Sequence, residues 1–188
     1  MQEQSLLNYR KELLHFRIAR WQELPNFDLY SDQVLKIVGS QLSFVHLPDG
    51  EFIITSTMIN NYVKLGFLER PHKKKYERAH IAKLIVISLL KQILPLGDIQ
   101  KGMALQIALH GEEEAYNIFC EELENAFKLI ASVGIKENSS LLISDIRQDR
   151  LALKMVTLSV VSKLLTQKII SLDGLQAFDR QGENNNEK

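Results

Sequence analysis

Apolar side chains recur along this chain at the three- and four-residue spacing of a helix face far more often than in alternation. That pattern predicts a mainly α protein. Leu6, Leu13, Leu14, Phe16, Ile18 and Trp21 give a broadly helical pattern over residues 3–21, stopped by Leu24-Pro25-Asn26. Ser31 is placed to cap a short helix whose inward side is Val34, Leu35, Val38 and Leu42. A turn is expected at His46-Leu47-Pro48-Asp49-Gly50. Thr55 or Ser56 then caps a helix carrying Met58, Ile59, Tyr62 and Val63, which closes at Gly66. Pro71 forbids helix through the compact stretch 67–76. Helix resumes near Glu77 and reaches Leu94, with apolar residues on nearly every face between Leu84 and Leu90, the pattern of a central buried helix.

Pro95 breaks that helix, and another is expected over 96–109 until His110-Gly111. Tyr116, Phe119, Leu123, Phe127 and Ile130 then mark a helix over 112–133, with Gly134 as its stop. A polar connector at 136–140 leads into a long apolar helix from 141 or 145 to about 172. The Asn-rich residues 181–188 read as disordered. The longest apolar runs are far too short to span a bilayer, and the first residues carry no basic and apolar leader, so the expectation is cytoplasmic with no membrane partner.

The chain has 188 residues, enough for one domain or two small ones. Its 45% hydrophobic and 24% charged composition excludes disorder throughout, and the single Cys120 excludes a disulfide scaffold. With 23 basic and 23 acidic side chains the formal charge is zero, but the average hides a dipole. Residues 64–83 carry seven basic and two acidic side chains, whereas 112–124 carry six Glu and no base. The first cluster can attract a polyanion even though the whole molecule is neutral.

Catalytic signals are poor. The five His (15, 46, 72, 80 and 110) have no zinc-ligand spacing. Gly97 and Gly102 have phosphate-loop spacing, but Met103-Ala104 stands where Lys-Ser/Thr would hold phosphates and magnesium. Cys120 sits beside Glu121 and Glu122, which raise a thiol pKa rather than lower it. Glu112, Glu113 and Glu114 open a helix, where acidic side chains meet the positive dipole end. No catalytic residue, metal or cofactor is therefore expected, and the protein is not read as an enzyme.

The informative stretch is 55–101. A short helix with a polar first turn precedes a basic loop, the order in which a recognition helix reaches base edges and a loop grips phosphates. On this reading Thr55, Thr57, Asn60, Asn61 and Lys64 face the groove of double-stranded DNA. Arg70, Lys73, Lys74, Lys75 and Arg78 contact phosphates, and Tyr76 packs or touches the backbone.

These residues resemble the winged helix of MerR-type regulators. The resemblance rests on Tyr62, Gly66, Phe67 and Leu68 for the Tyr-x-x-x-Gly-Leu-Leu end of a recognition helix, and on Lys74 and Tyr76 for the wing. Ile81 and Leu84 match the helix after the wing, and Leu94, Pro95, Leu96 and Ile99 echo a later turn of that family. Asn60-Asn61 stands where that family has Arg-Tyr, and the cysteines of its metal-responsive members are missing. The whole chain also resembles an uncharacterised family of Gram-positive bacterial proteins carrying a domain of unknown function, through Met58–Lys64 and Lys74-Lys75-Tyr76. The resemblance implies a mainly α fold, a MerR-like winged helix-turn-helix with an appended α-helical domain. Its parts would be an N-terminal helix at 1–30, the winged helix-turn-helix at 31–103, a helical dimerisation or effector domain at 104–178 and a tail at 179–188. It also implies a DNA-binding transcriptional regulator acting as a homodimer under an unknown small-molecule or protein effector. The alternative is a non-enzymatic adaptor that uses the winged helix to bind protein.

Overall fold

The computed structural model describes residues 2–45, 51–133, 143 and 147–172, with side chains from residue 8 onward. The turn at 46–50, the stop at Gly134, the connector at 136–140, the onset at 141 or 145 and the tail at 179–188 lie outside the described residues. The chain is mainly α-helical, and no strand occurs among the described residues. Seven α-helices are described: α1 (Gln2–Leu14), α2 (Ser31–Gln41), α3 (Ser56–Lys64), α4 (Arg78–Leu90), α5 (Leu96–His110), α6 (Glu112–Ser132) and α7 (Leu151–Ser171).

They form two compact units, one of residues 17–122 and one of 1–16 with 123–188. The expected boundaries at 30/31 and 103/104 both fall inside the first unit, and α6 contributes its first half to one unit and its second half to the other.

In the 17–122 unit α4 is the core element. Ten of its residues are buried, and it packs against α2 and α5 while α2 also meets α3. Val34, Val38, Leu42, Ile59, Leu84, Ile85, Ile87, Leu89 and Ile99 belong to that core. Each such side chain removed from water contributes roughly 1.5–3 kcal/mol. Helix α5 differs: of its 15 residues only Ile99 is buried, and Leu105 and Leu109 are exposed.

Two sequence expectations are corrected here. The helix expected over 3–21 ends at Leu14. Residues 16–20 lie outside any helix, and the backbone of Ala19 is held from distant parts of the chain: Gln41 Oε1 accepts from the Ala19 N–H at 2.9 Å, and the Tyr116 hydroxyl donates to the Ala19 carbonyl at 3.0 Å. Ile18, fully buried, is the anchor of this stretch. The second correction concerns Ser31, which is the first helical residue rather than the cap; Tyr30 holds the cap position.

The strands of the expected winged helix are not found: the described residues carry no strand, and the stretch around the basic loop has two isolated bridges, Leu29 with Tyr76 and His72 with Lys75.

The other unit gathers α1, the second half of α6, and α7. Arg10 Nε donates to the Ala131 carbonyl at 3.1 Å, the Phe16 and Phe127 rings lie 4.2 Å apart, and Lys168 Nζ sits 5.3 Å from the centre of the Tyr9 ring. Leu13, Leu123, Phe127, Ile130, Leu153, Val160, Val161 and Leu164 are among its buried apolar residues. The N-terminal part expected over 1–30 divides between the units after Phe16.

Candidate nucleic-acid interface

Helix α3 is short because both its ends are fixed by sequence. Thr55, in extended backbone, accepts a hydrogen bond from the Met58 N–H through Oγ1 at 3.2 Å. At the other end Gly66 takes φ +75, and the Phe67 and Leu68 N–H groups both return to the Tyr62 carbonyl, at 2.8 and 3.2 Å. Ile59 and Tyr62 are buried, and burial pushes the Tyr62 phenol up in pKa. Thr57, Asn60, Asn61 and Lys64 are exposed, and their spacing of three, four and seven residues puts them on one stripe of the helix. The structure therefore brings four of the five expected groove-facing residues onto a single face. Thr55 is the exception, its hydroxyl being engaged in the cap.

The basic loop is built around a four-residue reverse turn. The Lys75 N–H donates to the His72 carbonyl at 2.9 Å, and the two residues between, Lys73 and Lys74, have φ +49 and +64. Both central residues in the left-handed region make a mirror-image turn that normally selects Asn-Gly. Two lysines there cost about 1–2 kcal/mol each in backbone strain. That conformation is held from behind. Leu29 and Tyr76 exchange both backbone hydrogen bonds, at 2.9 and 2.8 Å. The buried Tyr76 ring stands edge-on to His80 at 5.5 Å, and His80 Nδ1 accepts the Glu77 N–H at the start of α4. Lys73, Lys74 and Arg70 are exposed, while Lys75 Nζ lies 3.8 Å from Asp28 Oδ2.

Tyr76, expected to pack or to touch the backbone, is 5% exposed and packs in the core. Arg78, expected to contact phosphate, is drawn inward. Arg78 Nε–H is shared between the Leu24 and Pro25 carbonyls at 3.1 and 3.4 Å, and its guanidinium lies 6.0 Å from the centre of the Trp21 ring. It clamps the 24–25 segment onto the start of α4.

Lys83 is likewise engaged, donating to Glu69 at 2.7 Å and to Glu112 at 2.8 Å. Burial pulls its pKa down, but those two carboxylates outweigh burial and hold it above the ordinary lysine value. Burial raises the Glu69 carboxyl, and the Lys83 contact overcomes this and holds it below its ordinary range. The acidic run is thus tied to the basic one at this point, and Glu113 also accepts from the Gln22 side chain. Sequence reasoning missed the partner segment 24–30 altogether, because a bridge between Leu29 and Tyr76 leaves no periodic trace in either stretch.

A family profile described as a domain of unknown function (DUF1836) matches residues 19–128. The chain belongs to the DUF1836 family. Comparisons with curated proteins and with solved structures find no match. The DUF1836 match runs closely along the 17–122 unit, so it takes in α2 to α5, the basic turn and the segment that clamps it. Helices α1 and α7 lie outside the match. No group of three or more His, Cys, Asp or Glu able to hold a metal occurs among the described residues, and no described helix is long and apolar enough to cross a membrane.

Proposed function

We propose that this DUF1836 protein is a DNA-binding transcriptional regulator of MerR-like type, with α3 as its recognition helix and the Lys73-Lys74 turn as a reduced wing. The observation that carries the reading is the single exposed stripe of Thr57, Asn60, Asn61 and Lys64, followed directly by two exposed lysines held in strained backbone. Asn can pair bidentately with adenine in the major groove, Thr with a base or phosphate, and lysines with phosphates. Strain kept at an exposed, charged tip is the pattern of a functional site rather than of an ordinary loop. Such a regulator works in the cytoplasm as a homodimer on paired half-sites about one helical turn apart. The exposed Leu151 and Met155 of α7, four residues apart, support a pairing surface.

The second reading is a non-enzymatic adaptor that docks protein. It is favoured by the exposed Leu105 and Leu109 of α5, which lie within the family match on a helix that buries little. Selection of bound sequences from a random duplex pool at near-physiological salt separates the two. An enriched palindrome supports the dimeric regulator, and enrichment without symmetry supports a monomeric one. Absence of any binding by the folded protein overturns the DNA reading in favour of the adaptor.

A further inference from the structure

Helix α5 is divided lengthwise. Leu96, Ile99, Met103, Gln106, Ile107 and His110 are buried or half-buried and fall on one side, while every other residue of α5 is exposed. The exposed side is itself divided. Asp98, Gln100 and Lys101 make its first part polar, but from Gly102 onward it consists of Gly102, Ala104, Leu105, Ala108 and Leu109, with no polar side chain over two turns. Leu105 and Leu109 stand 55% and 53% exposed there. The outward face of a surface helix is ordinarily its charged face. Lone exposed leucines need no explanation, but a continuous face without a polar group does.

The order of side chains on this face fits a second copy of the chain. A small and a large residue stand at 104–105, and the pair repeats at 108–109. Two such helices, antiparallel about a two-fold axis midway between Gln106 and Ile107, set Leu105 level with the partner's Ala108 and Leu109 level with the partner's Ala104. Every level then holds one large and one small side chain, so the helices can lie evenly at about 8 Å. A parallel pair in register sets leucine against leucine and alanine against alanine, alternating crowding with void. Charge favours the antiparallel sense as well. Lys101 comes level with the end of the partner's α5, where the helix dipole is negative and the run Glu112–Glu114 begins. A parallel pair sets Lys101 against Lys101. Between Gly102 and Leu109 the face offers a polyanion no cation.

The same helix holds the end of α3. Gln100 Nε2 donates to the Gly66 carbonyl at 2.9 Å, just past the close of α3 at Lys64. Pairing through α5 therefore sets two copies of α3 about one axis. The contact is small by the standard of permanent dimers, so the pair dissociates on dilution.

We infer that the outer face of α5, from Lys101 to Leu109, pairs antiparallel with the same face of a second copy. The inference rests on the homodimer of the regulator reading and gives that dimer its contact. The test is sedimentation equilibrium of the full chain, without DNA, over a concentration series. The expected result is a reversible monomer–dimer equilibrium that Leu105→Glu weakens roughly a hundredfold. Leu105→Ala and Ala108→Leu should each weaken it roughly tenfold, the first by setting two alanines level and the second by crowding two leucines. Leu105→Ala combined with Ala108→Leu exchanges large for small and should recover most of the loss, a coupling that a merely apolar surface would not show. Melting temperatures close to the unsubstituted protein confirm that these exposed positions leave the fold intact. Single losses that simply add in the combined variant, or a dimer that survives Leu105→Glu, overturn the α5 contact and leave the homodimer standing. Loss of that surviving dimer with Met155→Glu then assigns it to α7. A chain that is monomeric at every concentration overturns the homodimer and the α5 contact with it.

Discussion

The basic segment 64–83 divides at Tyr76 into two halves of similar sequence character and opposite use. Before Tyr76, Lys64, Arg70, Lys73 and Lys74 stand exposed, while the half-buried Lys75 lies 3.8 Å from Asp28. After it, Arg78 and Lys83 are drawn inward, the first to two backbone carbonyls and the second to two carboxylates. Composition counts all of these cations alike. What separates them is whether an acceptor lies within reach once the chain is folded, and the α4 side of the division supplies acceptors from segment 24–25 and from the start of α6. A local net charge is therefore an upper bound on the charge a surface presents.

Substitutions on the two sides should behave in opposite ways. The largest effect is expected from Lys73→Ala with Lys74→Ala: roughly a hundredfold loss of duplex affinity at moderate salt. The slope of log affinity against log salt should fall by about two, with the melting temperature not lowered. A salt titration by anisotropy reads this, and an unchanged slope would show that the tip does not meet phosphates. Next comes Arg78→Ala, which should cost about 2 kcal/mol in urea unfolding, since it removes the carbonyl clamp and the packing on Trp21 together. Arg78→Lys should recover little of it, because an ammonium cannot reproduce the planar donor over a ring.

Lys83→Met should cost less, about 1 kcal/mol at neutral pH, because both carboxylate partners are substantially exposed and screened. Its signature is the pH dependence. Glu69 is held below its ordinary value of 4.5, so its contribution is complete above that pH and is lost as pH falls through the folded value. Lys83 is held above 10.5, so its contribution is complete below that and is lost as pH rises through the folded value. Chemical denaturation of the variant should therefore show a flatter decline at both extremes than the unsubstituted chain. The smallest effect has the reverse sign. Lys73→Asn with Lys74→Gly supplies the residues that the mirror-image turn prefers and should raise stability by about 1 kcal/mol while weakening DNA. A variant that gains stability and keeps its affinity would detach the strained turn from binding.

Much of the helical fold was legible. The apolar run of 84–90, broken at Ser88 alone, marked α4 as buried, and Gly66 and Gly111, both with positive φ, marked helix ends. The Thr57, Asn60, Asn61 and Lys64 stripe was readable as well, since helix periodicity alone places those residues together. Three features left no local trace. The pattern Leu13, Phe16, Ile18 looked helical, yet Ile18 is buried from a stretch outside any helix whose backbone bonds go to Gln41 and Tyr116. Arg78 read as a phosphate-contacting residue of a basic loop and Tyr76 was open between packing and backbone contact, but their direction is set by Leu29, Leu24 and Pro25 from a distant part of the chain. The exposure of α5 was equally hidden, because its apolar content resembles that of a buried helix although Ile99 is its one buried residue.

By residue type, Lys73-Lys74 is among the first places a trypsin-like protease should cut this chain. Such enzymes accept a substrate drawn out over several residues on either side of the bond, whereas here the dipeptide is curled through a reverse turn whose next residue is clipped to Leu29. Cleavage requires the clip to open, so its rate follows the population of the opened loop rather than the exposure of the lysines. Partial digestion at this bond is then a gauge of local opening, and any ligand that seats on the tip should silence it.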